Sequence, residues 1–378
     1  MQIMIYLDNS ATTKPCESAI SALNRALTEV WGNPSSLYGL GLEAENLIND
    51  TRLKIAEAIN AREDEIFFTG SGTEANNLSI IGAANLMKRR GNRIVTTSVE
   101  HPSVLNTCKY LELQGFEITY IKPENDGNLS AEKVLSAVDG KTVLVSVMSV
   151  NNETGCIFPV AEIFEGLKEM KSIVVKHTDC VQAFGKMPID IEKLGADLLT
   201  ASGHKIHGPK GIGFLYKKKN LQLKPIIHGG GQEKGLRSGT ESVPLIAALG
   251  GAISELSVNL TLTKVKELHS YAYNKLSAVD GVLINSPQSD SLPYIINISV
   301  KGIRSETLLH FLEAKDIYVS SGSACSKGKG SHVLTEMGLS ADRTDSAIRI
   351  SFSKFNTASD IDALCNALIE AQNTLRRK

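Results

Sequence analysis

The sequence has little of what marks a membrane protein, a secreted protein or a nucleic-acid-binding protein. Its longest apolar stretch, residues 243–253, is interrupted by Pro244 and two glycines and is too short to span a bilayer. No basic segment precedes the apolar start of the chain, so we expect no signal peptide. The 40 Lys and Arg residues nearly balance the 41 Asp and Glu residues, which gives a net charge of −1. A protein that binds polyanions would be expected to carry an excess of basic residues.

Cysteines are also few, and none of the six belongs to a CxxC pair. We interpret them as reduced thiols of a soluble cytoplasmic protein, one of which is a candidate reactive group. Hydrophobic residues make up 42% of the chain and charged residues 21%, close to the globular average, so wholesale disorder is excluded. The length of 378 residues predicts two domains, or one large domain with a satellite.

Between residues 65 and 216, short β-rich runs alternate with helical segments. Most of these runs are continuously apolar, which is typical of strands buried on both faces of a sheet. The alternation predicts an α/β fold with a mostly parallel, seven-stranded sheet between helices. The last two runs are joined by a loop too short for a crossover helix, so one of them should run antiparallel. The predicted strands are residues 65–69, 93–97, 117–121, 142–149, 173–177, 198–201 and 211–216.

The C-terminal third of the sequence predicts a second, smaller α+β domain. A long helical pattern covers residues 241–278, with a bend or break expected near Gly250–Gly251. Beyond it, we predict strands at 294–300 and 347–352 and helices at 304–315 and 358–376. The predicted division is a large domain of residues 15–255 and a small domain of residues 1–14 and 256–378.

A glycine-rich turn follows the first predicted strand of the sheet. Residues 70–73, Gly-Ser-Gly-Thr, precede a helix, and unpaired amides at a helix start favour a phosphate. The spacing Gly70-x-Gly72-x-x-Ala75 also fits a dinucleotide fingerprint. An acidic residue at the end of the next strand would favour a dinucleotide. That strand instead leads to Glu100 and His101, about 30 residues after Gly70. A tight turn that binds nothing is the third interpretation.

Two further loops follow buried strands. Asp179 lies near the carboxyl end of one strand, where α/β sheets bind ligands, and could hold a pyridinium nitrogen protonated while Gln182 contacts a ring substituent. Its alternative role is a helix N-cap. Lys205 lies in a Gly/Ser/His loop and could form a Schiff base, or be a solvated charge. His204 and His207 lack a third ligand at motif spacing, so no metal site is predicted.

The last candidate is Cys325, within the small-residue segment 320–330. Lys327 and Lys329 could lower the pKa of its thiol, and such surroundings are typical of a nucleophilic cysteine in a moving loop. The alternative is an incidental surface thiol. The other five cysteines are interpreted as core filler.

Several short motifs occur in one order along nearly the whole chain. They are YLDNSATT (6–13), GNPSS (32–36), GTEANN (72–77), EH (100–101), NNETG (151–155), HTD (177–179), SGHK (202–205), HGGG (228–231), RSGT (237–240) and SGSAC (321–325). Together with Arg349, this series resembles the NifS/IscS-type cysteine desulfurases of the class V aminotransferase family. These are fold type I pyridoxal-phosphate enzymes.

The resemblance implies pyridoxal 5'-phosphate as cofactor and a role for each matching residue. Lys205 would form the Schiff base, Asp179 would bind the pyridine nitrogen and His101 would stack on the ring. Gln182 and Asn152 would lie beside the phenolic oxygen. The phosphate would be bound by Gly72, Thr73, Ser202, His204 and, from the other chain of a homodimer, Thr240. Asn33 and Arg349 would hold the substrate carboxylate.

The implied reaction converts L-cysteine to L-alanine. Lys205 would move the Cα proton, and Cys325 would take the sulfur as a persulfide and pass it to an iron–sulfur scaffold or a tRNA-thiolation enzyme. Cys325 could also be a transient iron–sulfur ligand. Its loop is about two residues shorter than in IscS-type members, and Lys327 and Lys329 predict an acceptor with an acidic docking face.

Four other functions are weighed against this one. Selenocysteine lyase or a transaminase would use the same fold, and a transaminase would not need Cys325. A non-catalytic sulfur-transfer scaffold would not need Lys205, Asp179 and Cys325 together. An NAD dehydrogenase rests only on the Gly70-x-Gly72-x-x-Ala75 spacing and gives Lys205 no role.

Overall fold

The structure, a computed structural model, describes residues 4–321 and 330–375. Its strands are β1 (Ile5–Tyr6), β2 (Ile66–Thr69), β3 (Arg93–Thr97), β4 (Glu117–Ile121), β5 (Thr142–Ser146), β6 (Val175–Asp179), β7 (Leu198–Ser202), β8 (Gly213–Lys217), β9 (Val282–Ile284), β10 (Ile295–Val300), β11 (Ile317–Tyr318) and β12 (Ala347–Ser351). Its helices are α1 (Glu17–Thr28), α2 (Gly39–Ala58), α3 (Gly72–Met87), α4 (Pro102–Glu112), α5 (Ala131–Ser136), α6 (Val160–Glu169), α7 (Ile191–Leu194), α8 (Val243–Ser254), α9 (Val258–Ser277), α10 (Ser305–Glu313), α11 (His332–Glu336), α12 (Ala341–Asp345) and α13 (Ala358–Leu375).

A seven-stranded mixed sheet organises the first two thirds of the chain. The strand order is β2-β8-β7-β6-β5-β3-β4, and β8 alone pairs antiparallel, with β2 and β7 on either side. The predicted α/β fold with one antiparallel strand among the last two is therefore confirmed. Strand β6 begins and ends two residues later than predicted, so Asp179 is its last residue, at the carboxyl edge of the sheet.

Neighbouring residues of the central strands contribute to cores on opposite faces of the sheet, because side chains alternate along a strand. Leu144 and Leu198 belong to the core that contains α3 and α4, whereas Val145 and Leu199 belong to the larger core on the other face. Strands β5 and β7 are buried along their whole length. Burial on both faces explains their apolar sequences.

The predicted bend in this helical pattern lies a few residues beyond Gly250–Gly251, because α8 continues through both glycines and ends at Ser254. A Cβ atom on Gly250 would clash with the Thr51 side chain, and one on Gly251 with the carbonyl group of Ser18. These glycines therefore permit close packing of α8 on α1 and α2. The bend of 69° lies between α8 and α9. Within residues 4–321 and 330–375, no single helix has the length and apolar composition to cross a membrane, and α8 and α9 meet those criteria only as a bent pair.

Two small sheets follow the main sheet. Strands β9, β10 and β12 form an antiparallel sheet in the order β12-β10-β9, and β1 pairs in parallel with β11. The predicted strands at 294–300 and 347–352 correspond to β10 and β12, while β9 was not predicted. Beyond β1, Asp8 forms an isolated bridge with Ser351. This pairing places the N-terminal segment beside β12.

Candidate active site

A cavity of about 870 Å³ opens at the carboxyl ends of β6 and β7. Its volume lies in the range of small-molecule sites, and its place matches the edge at which parallel sheets bind ligands. Most of the residues predicted for the site line this cavity. They are Gly72, Thr73, His101, Asn152, Asp179, Gln182, Ser202, His204, Lys205 and Arg349.

Asp179 is buried and held from two sides. The Asn76 side chain donates from Nδ2 to Asp179 Oδ2 over 2.7 Å, and the backbone N–H of Val181 donates to Oδ1 over 2.9 Å. Asn76 is itself fixed, because Thr200 Oγ1 donates to its Oδ1 over 2.5 Å. No role for Asn76 was predicted, although it belongs to the GTEANN motif. It orients the carboxylate at the end of β6.

Lys205 ends a short 3₁₀ turn that follows β7. Its Nζ donates to the carbonyl oxygens of Ser10 over 2.6 Å and Ala11 over 2.8 Å. The N-terminal segment therefore forms one wall of the cavity and contacts the lysine directly. Lys205 is partly buried, which disagrees with the interpretation of a solvated surface charge.

His101 is the N-cap of α4 and is followed by Pro102 at the first helical position. The Ser103 backbone N–H donates to His101 Nδ1 over 3.1 Å, so this nitrogen acts as an acceptor. Burial is the main cause that lowers the pKa of His101. A neutral ring with the proton on Nε2 is therefore the stable form in the cavity.

The start of α3 also lines the cavity. Ser71 is the N-cap, since its Oγ accepts from the backbone N–H of Glu74 over 3.1 Å. Gly72 permits close packing here, because a Cβ atom would lie 2.8 Å from Val181 Cγ2. The positive end of a 16-residue helix and the Thr73 hydroxyl thus line the cavity, an arrangement that suits an anion.

Nearby, burial and the charges of Lys205 and Lys210 lower the pKa of His204 to about 4. The ring of His204 is therefore neutral at pH 7 and can offer a hydrogen bond without adding a charge.

Arg349 extends from β12 into the cavity and is buried. Its Nη1 donates to the carbonyl oxygen of Asn152 over 2.9 Å, and its Nη2 to Asp8 Oδ1 over 2.9 Å. Among the residues described, no acceptor lies within hydrogen-bond distance of Arg349 Nε. Burial raises the pKa of Asp8, and the Arg349 guanidinium opposes that effect. The guanidinium is held in place and retains capacity for a further carboxylate.

Gln182 and Lys186 form a pair behind the cavity. Gln182 Nε2 donates to the Ser10 carbonyl oxygen over 3.0 Å, and Lys186 Nζ donates to Gln182 Oε1 over 2.7 Å. The Ser10 oxygen therefore accepts from both Gln182 and Lys205. A role for Lys186 in the site was not predicted, because nothing in the local sequence indicates that its side chain is buried.

Two buried glutamates near the cavity were also not assigned roles. Glu100 Oε1 accepts from the Met148 backbone N–H over 2.9 Å, and burial raises the pKa of Glu100 to about 8. The Ser331 hydroxyl donates to Glu153, and burial raises the pKa of Glu153 to about 7. Burial thus favours the uncharged form of both groups.

Two described site residues do not line this cavity, and a third predicted residue lies outside the described part of the chain. Asn33 is exposed, and its Oδ1 accepts from the Ser35 backbone N–H over 2.9 Å. Thr240 is also exposed and does not line the cavity. Cys325 lies outside the described residues, as do Lys327, Lys329 and the predicted moving loop. The other five cysteines are buried, as core filler should be.

A mixed seven-stranded sheet with a lysine, an aspartate and a histidine at its carboxyl edge agrees with the fold type I class that the motifs predicted. The Aminotransferase class-V family model matches residues 5–364. The chain belongs to this family, as its motifs predicted.

A relative of this chain carries the name of the predicted activity, and two solved structures have the same fold. "Cysteine desulfurase IscS" of Methanosarcina thermophila is 40% identical over 380 aligned residues, which cover 98% of this chain and 93% of that protein. The solved structure "NIFS-LIKE PROTEIN" superposes with a TM-score of 0.93 at 36% identity, covering 98% of this chain and 100% of that chain. The structure "SspA in complex with cysteine" has a TM-score of 0.83 at 33% identity, covering 93% of this chain and 100% of that chain. The resemblance to the NifS/IscS-type cysteine desulfurases is confirmed.

Proposed function

We propose that this protein is a cysteine desulfurase, which converts L-cysteine to L-alanine and leaves a persulfide on Cys325. The observation that carries the proposal is that Lys205 and Asp179 line one cavity at the carboxyl ends of β6 and β7. That cavity lies in a chain whose relatives are named for this activity. The solved relative in complex with cysteine supports the choice of substrate.

The donors around the cavity fit pyridoxal 5'-phosphate. Lys205 offers an amine for covalent attachment, and Asp179 offers a buried carboxylate for the pyridine nitrogen. The start of α3, with Gly72 and Thr73, offers N–H and hydroxyl donors for the phosphate. When bound, this cofactor supplies an electron sink that makes the Cα proton of an amino acid acidic.

The remaining lining residues complete this proposal. The neutral His101 ring would stack on the pyridine ring, while Gln182 and Asn152 would contact its phenolic oxygen. Ser202 and His204 would add donors to the phosphate. Thr240 would reach the phosphate of the other chain in a homodimer, which agrees with its exposed position.

Arg349 would bind the carboxylate of L-cysteine. Its side chain lines the cavity, and a guanidinium can donate two parallel hydrogen bonds to a carboxylate. Asn33 is proposed for the same carboxylate from the resemblance, although it lies outside the cavity of the single chain.

The reaction then needs two groups of the chain. The Lys205 amine takes the proton from the substrate Cα atom and returns a proton later. The Cys325 thiolate attacks the substrate sulfur, so that a sulfur–sulfur bond forms and the carbon–sulfur bond breaks. The electron pair of the broken bond remains with the substrate carbon, which takes up a proton to become alanine. One thiol and one L-cysteine are consumed, and one persulfide and one L-alanine are formed.

A homodimer and a sulfur acceptor are part of this proposal. Trp31, Leu37 and Tyr38 are large, exposed and close in sequence, which is typical of a surface that a partner covers. The persulfide would pass to an iron–sulfur scaffold or a tRNA-thiolation enzyme. The reaction requires a reduced Cys325 thiol, which fits a cytoplasmic location.

The test uses purified protein loaded with pyridoxal phosphate. With L-cysteine we expect equal amounts of alanine and protein-bound persulfide in a single turnover without reductant, located on the peptide that contains Cys325 by mass spectrometry. Cys325→Ser should abolish persulfide formation and keep the visible band of the cofactor. Cys180→Ser, at a buried thiol, is the matched control. Full desulfurase activity of Cys325→Ser would overturn the proposal, and transamination without sulfur release would identify a transaminase.

A further inference from the structure

Lys186 is a buried lysine to which the proposed reaction gives no role. It lies in the turn 181–186 that follows β6 and is 4% exposed. Its Nζ donates to Gln182 Oε1 over 2.7 Å and lies 5.8 Å from the ring centroid of Tyr294. In the described part of the chain, no carboxylate lies within salt-bridge distance of this ammonium. A buried lysine without a carboxylate partner lowers stability. Its contact with Gln182 connects it to the cavity.

The hydrogen bond from Lys186 fixes which way the Gln182 amide points. Lys186 donates to the amide oxygen, and the Ser10 carbonyl oxygen can only accept, so the two contacts favour the same orientation of the amide. The amide nitrogen then points to the Ser10 carbonyl oxygen, to which it donates over 3.0 Å. A rotated amide would place its N–H groups against the ammonium and its oxygen against the carbonyl of Ser10. Of the two N–H groups of Gln182, one is engaged with Ser10, and the amide lines the cavity.

We propose that Lys186 is a positioning residue, which holds the Gln182 amide so that it presents an N–H group, and not its oxygen, to the cofactor. The proposal rests on the proposed function, in which Gln182 contacts the phenolic oxygen of pyridoxal phosphate. A hydrogen bond donated to that oxygen favours its deprotonated form. Since Ser10 accepts from both Gln182 and Lys205, the same network also reaches the lysine that attaches the cofactor.

A small cavity beside Lys186 is also lined by Glu255 and Lys354, and the Glu255 carboxylate pairs with Lys354 over 3.2 Å. Burial, followed by the charges of Lys205 and Arg349, lowers the pKa of Lys186 well below its usual value. Further titratable neighbours are His204, His207 and Tyr294; burial is the main cause that lowers the pKa of both histidine rings and raises the pKa of Tyr294 to about 12. Neither histidine can take the place of a carboxylate partner. The Gln182 oxygen is therefore the polar atom that the fold supplies to Lys186.

The experiment is a pH titration of the visible absorbance of the holoenzyme. Lys186→Met should keep the band but move its pH transition upward by about one unit, because the N–H donor to the phenolic oxygen is no longer fixed. Gln182→Met should produce a similar shift, and the double variant should shift no further than either single variant. Lys217→Met is the matched control, because Lys217 also donates to a carbonyl oxygen and lies over an aromatic ring but is outside the cavity. Its transition should stay at the wild-type pH.

A structural role for Lys186 has a different signature. If Lys186 only supported the fold, Lys186→Met would melt at a lower temperature and leave the transition unchanged, and this result would overturn the proposal. We expect the apoprotein of Lys186→Met to melt at the same temperature or higher, because an ammonium group is no longer buried. Additive shifts in the double variant would also overturn it. A wild-type protein that forms no band would instead refute the proposed function, whereas a wild-type band with an unshifted Lys186→Met transition refutes the role of Lys186 alone.

Discussion

Arg349 Nη2 donates to Asp8 Oδ1 over 2.9 Å and so joins β12 to the N-terminal segment of the chain. The two residues lie 341 positions apart in the sequence. The bridge holds the proposed substrate-binding guanidinium in one orientation before L-cysteine arrives. A substrate carboxylate would therefore meet a positioned partner, and little side-chain entropy would be lost on binding.

Arg349→Lys should weaken the binding of L-cysteine more than it slows the reaction. A lysine cannot reproduce the two parallel hydrogen bonds of a guanidinium, so we expect the KM for L-cysteine to rise roughly 10- to 100-fold. The change in kcat should be smaller. Arg304→Lys, at an exposed arginine paired with Asp345, is the control and should behave like the wild type. An unchanged KM in Arg349→Lys would contradict the assignment.

Lys205→Ala should abolish both turnover and the covalent attachment of pyridoxal phosphate. The carbonyl groups of Ser10 and Ala11 hold its Nζ in the cavity, whereas Lys109 and Lys210, which also line the cavity, are exposed. The measurement is the visible spectrum before and after borohydride reduction, with the attachment site located by mass spectrometry. Lys218→Ala, at an exposed lysine paired with Asp197, should retain the wild-type spectrum. A cofactor label on a different lysine would contradict the prediction.

Asn76→Ala should destabilise the protein even without cofactor. The substitution leaves the buried Asp179 carboxylate without its side-chain donor and the Thr200 hydroxyl without its acceptor. We expect the free energy of unfolding to fall by about 1–3 kcal/mol and the affinity for pyridoxal phosphate to fall with it. Asn77→Ala is the control, because the neighbouring Asn77 only donates to the Thr73 carbonyl on the helix surface. Equal unfolding midpoints of the two variants in urea would refute the prediction.

Glu100→Gln should change how stability depends on pH. Burial raises the pKa of Glu100 from 4.5 to about 8, so the folded state binds a proton that the unfolded state releases above pH 4.5. The resulting stabilisation is complete below pH 4.5 and is lost as pH rises to about 8. The amide does not titrate, so the free energy of unfolding of the variant relative to the wild type should increase with pH across this window.

Urea unfolding at several pH values between 4.5 and 8 measures this difference. Glu169→Gln, at an exposed position at the end of α6, should show no pH-dependent difference from the wild type. If the free energy of unfolding depended on pH in the same way for Glu100→Gln and the wild type, the Glu100 carboxyl group would be ionised in the folded protein, which would contradict the prediction.

Mixing two inactive variants should restore activity if the protein is a homodimer with composite sites. Lys205→Ala chains retain Thr240, and Thr240→Ala chains retain Lys205, so each mixed dimer would contain one complete site. We expect activity to appear after chain exchange, whereas either variant alone stays inactive or impaired. Sedimentation at the assay concentration should show a dimer. A fully active monomer would refute the composite site.

The strands of the main sheet were predictable because most of them are short apolar runs between polar turns. Strands β3 and β4 have the predicted bounds, and β6 is displaced by two residues because its polar carboxyl end, residues 177–179, continues the pairing with β7. The predicted domain boundary near residue 255 and the roles of the site residues stay predictions. The bend predicted near Gly250–Gly251 lies after α8, because packing of α8 on α1 and α2 stabilises the helix at these glycines although glycine has a low helix propensity.

The sequence by itself determined the α/β fold, because buried strands are visible as short apolar runs, and it indicated the family through the resemblance of local motifs such as SGHK and HTD at strand ends. It also marked Lys205 and Asp179 by their residue types and their positions at strand ends. Only the tertiary structure decided which groups hold them. Asn76 contacts Asp179 from 103 residues away, and Ser10 contacts Lys205 from 195 residues away. Hydrogen bonds between distant segments leave no periodic signal in a single sequence, and burial of a lysine such as Lys186 depends on elements that pack around it from the whole chain.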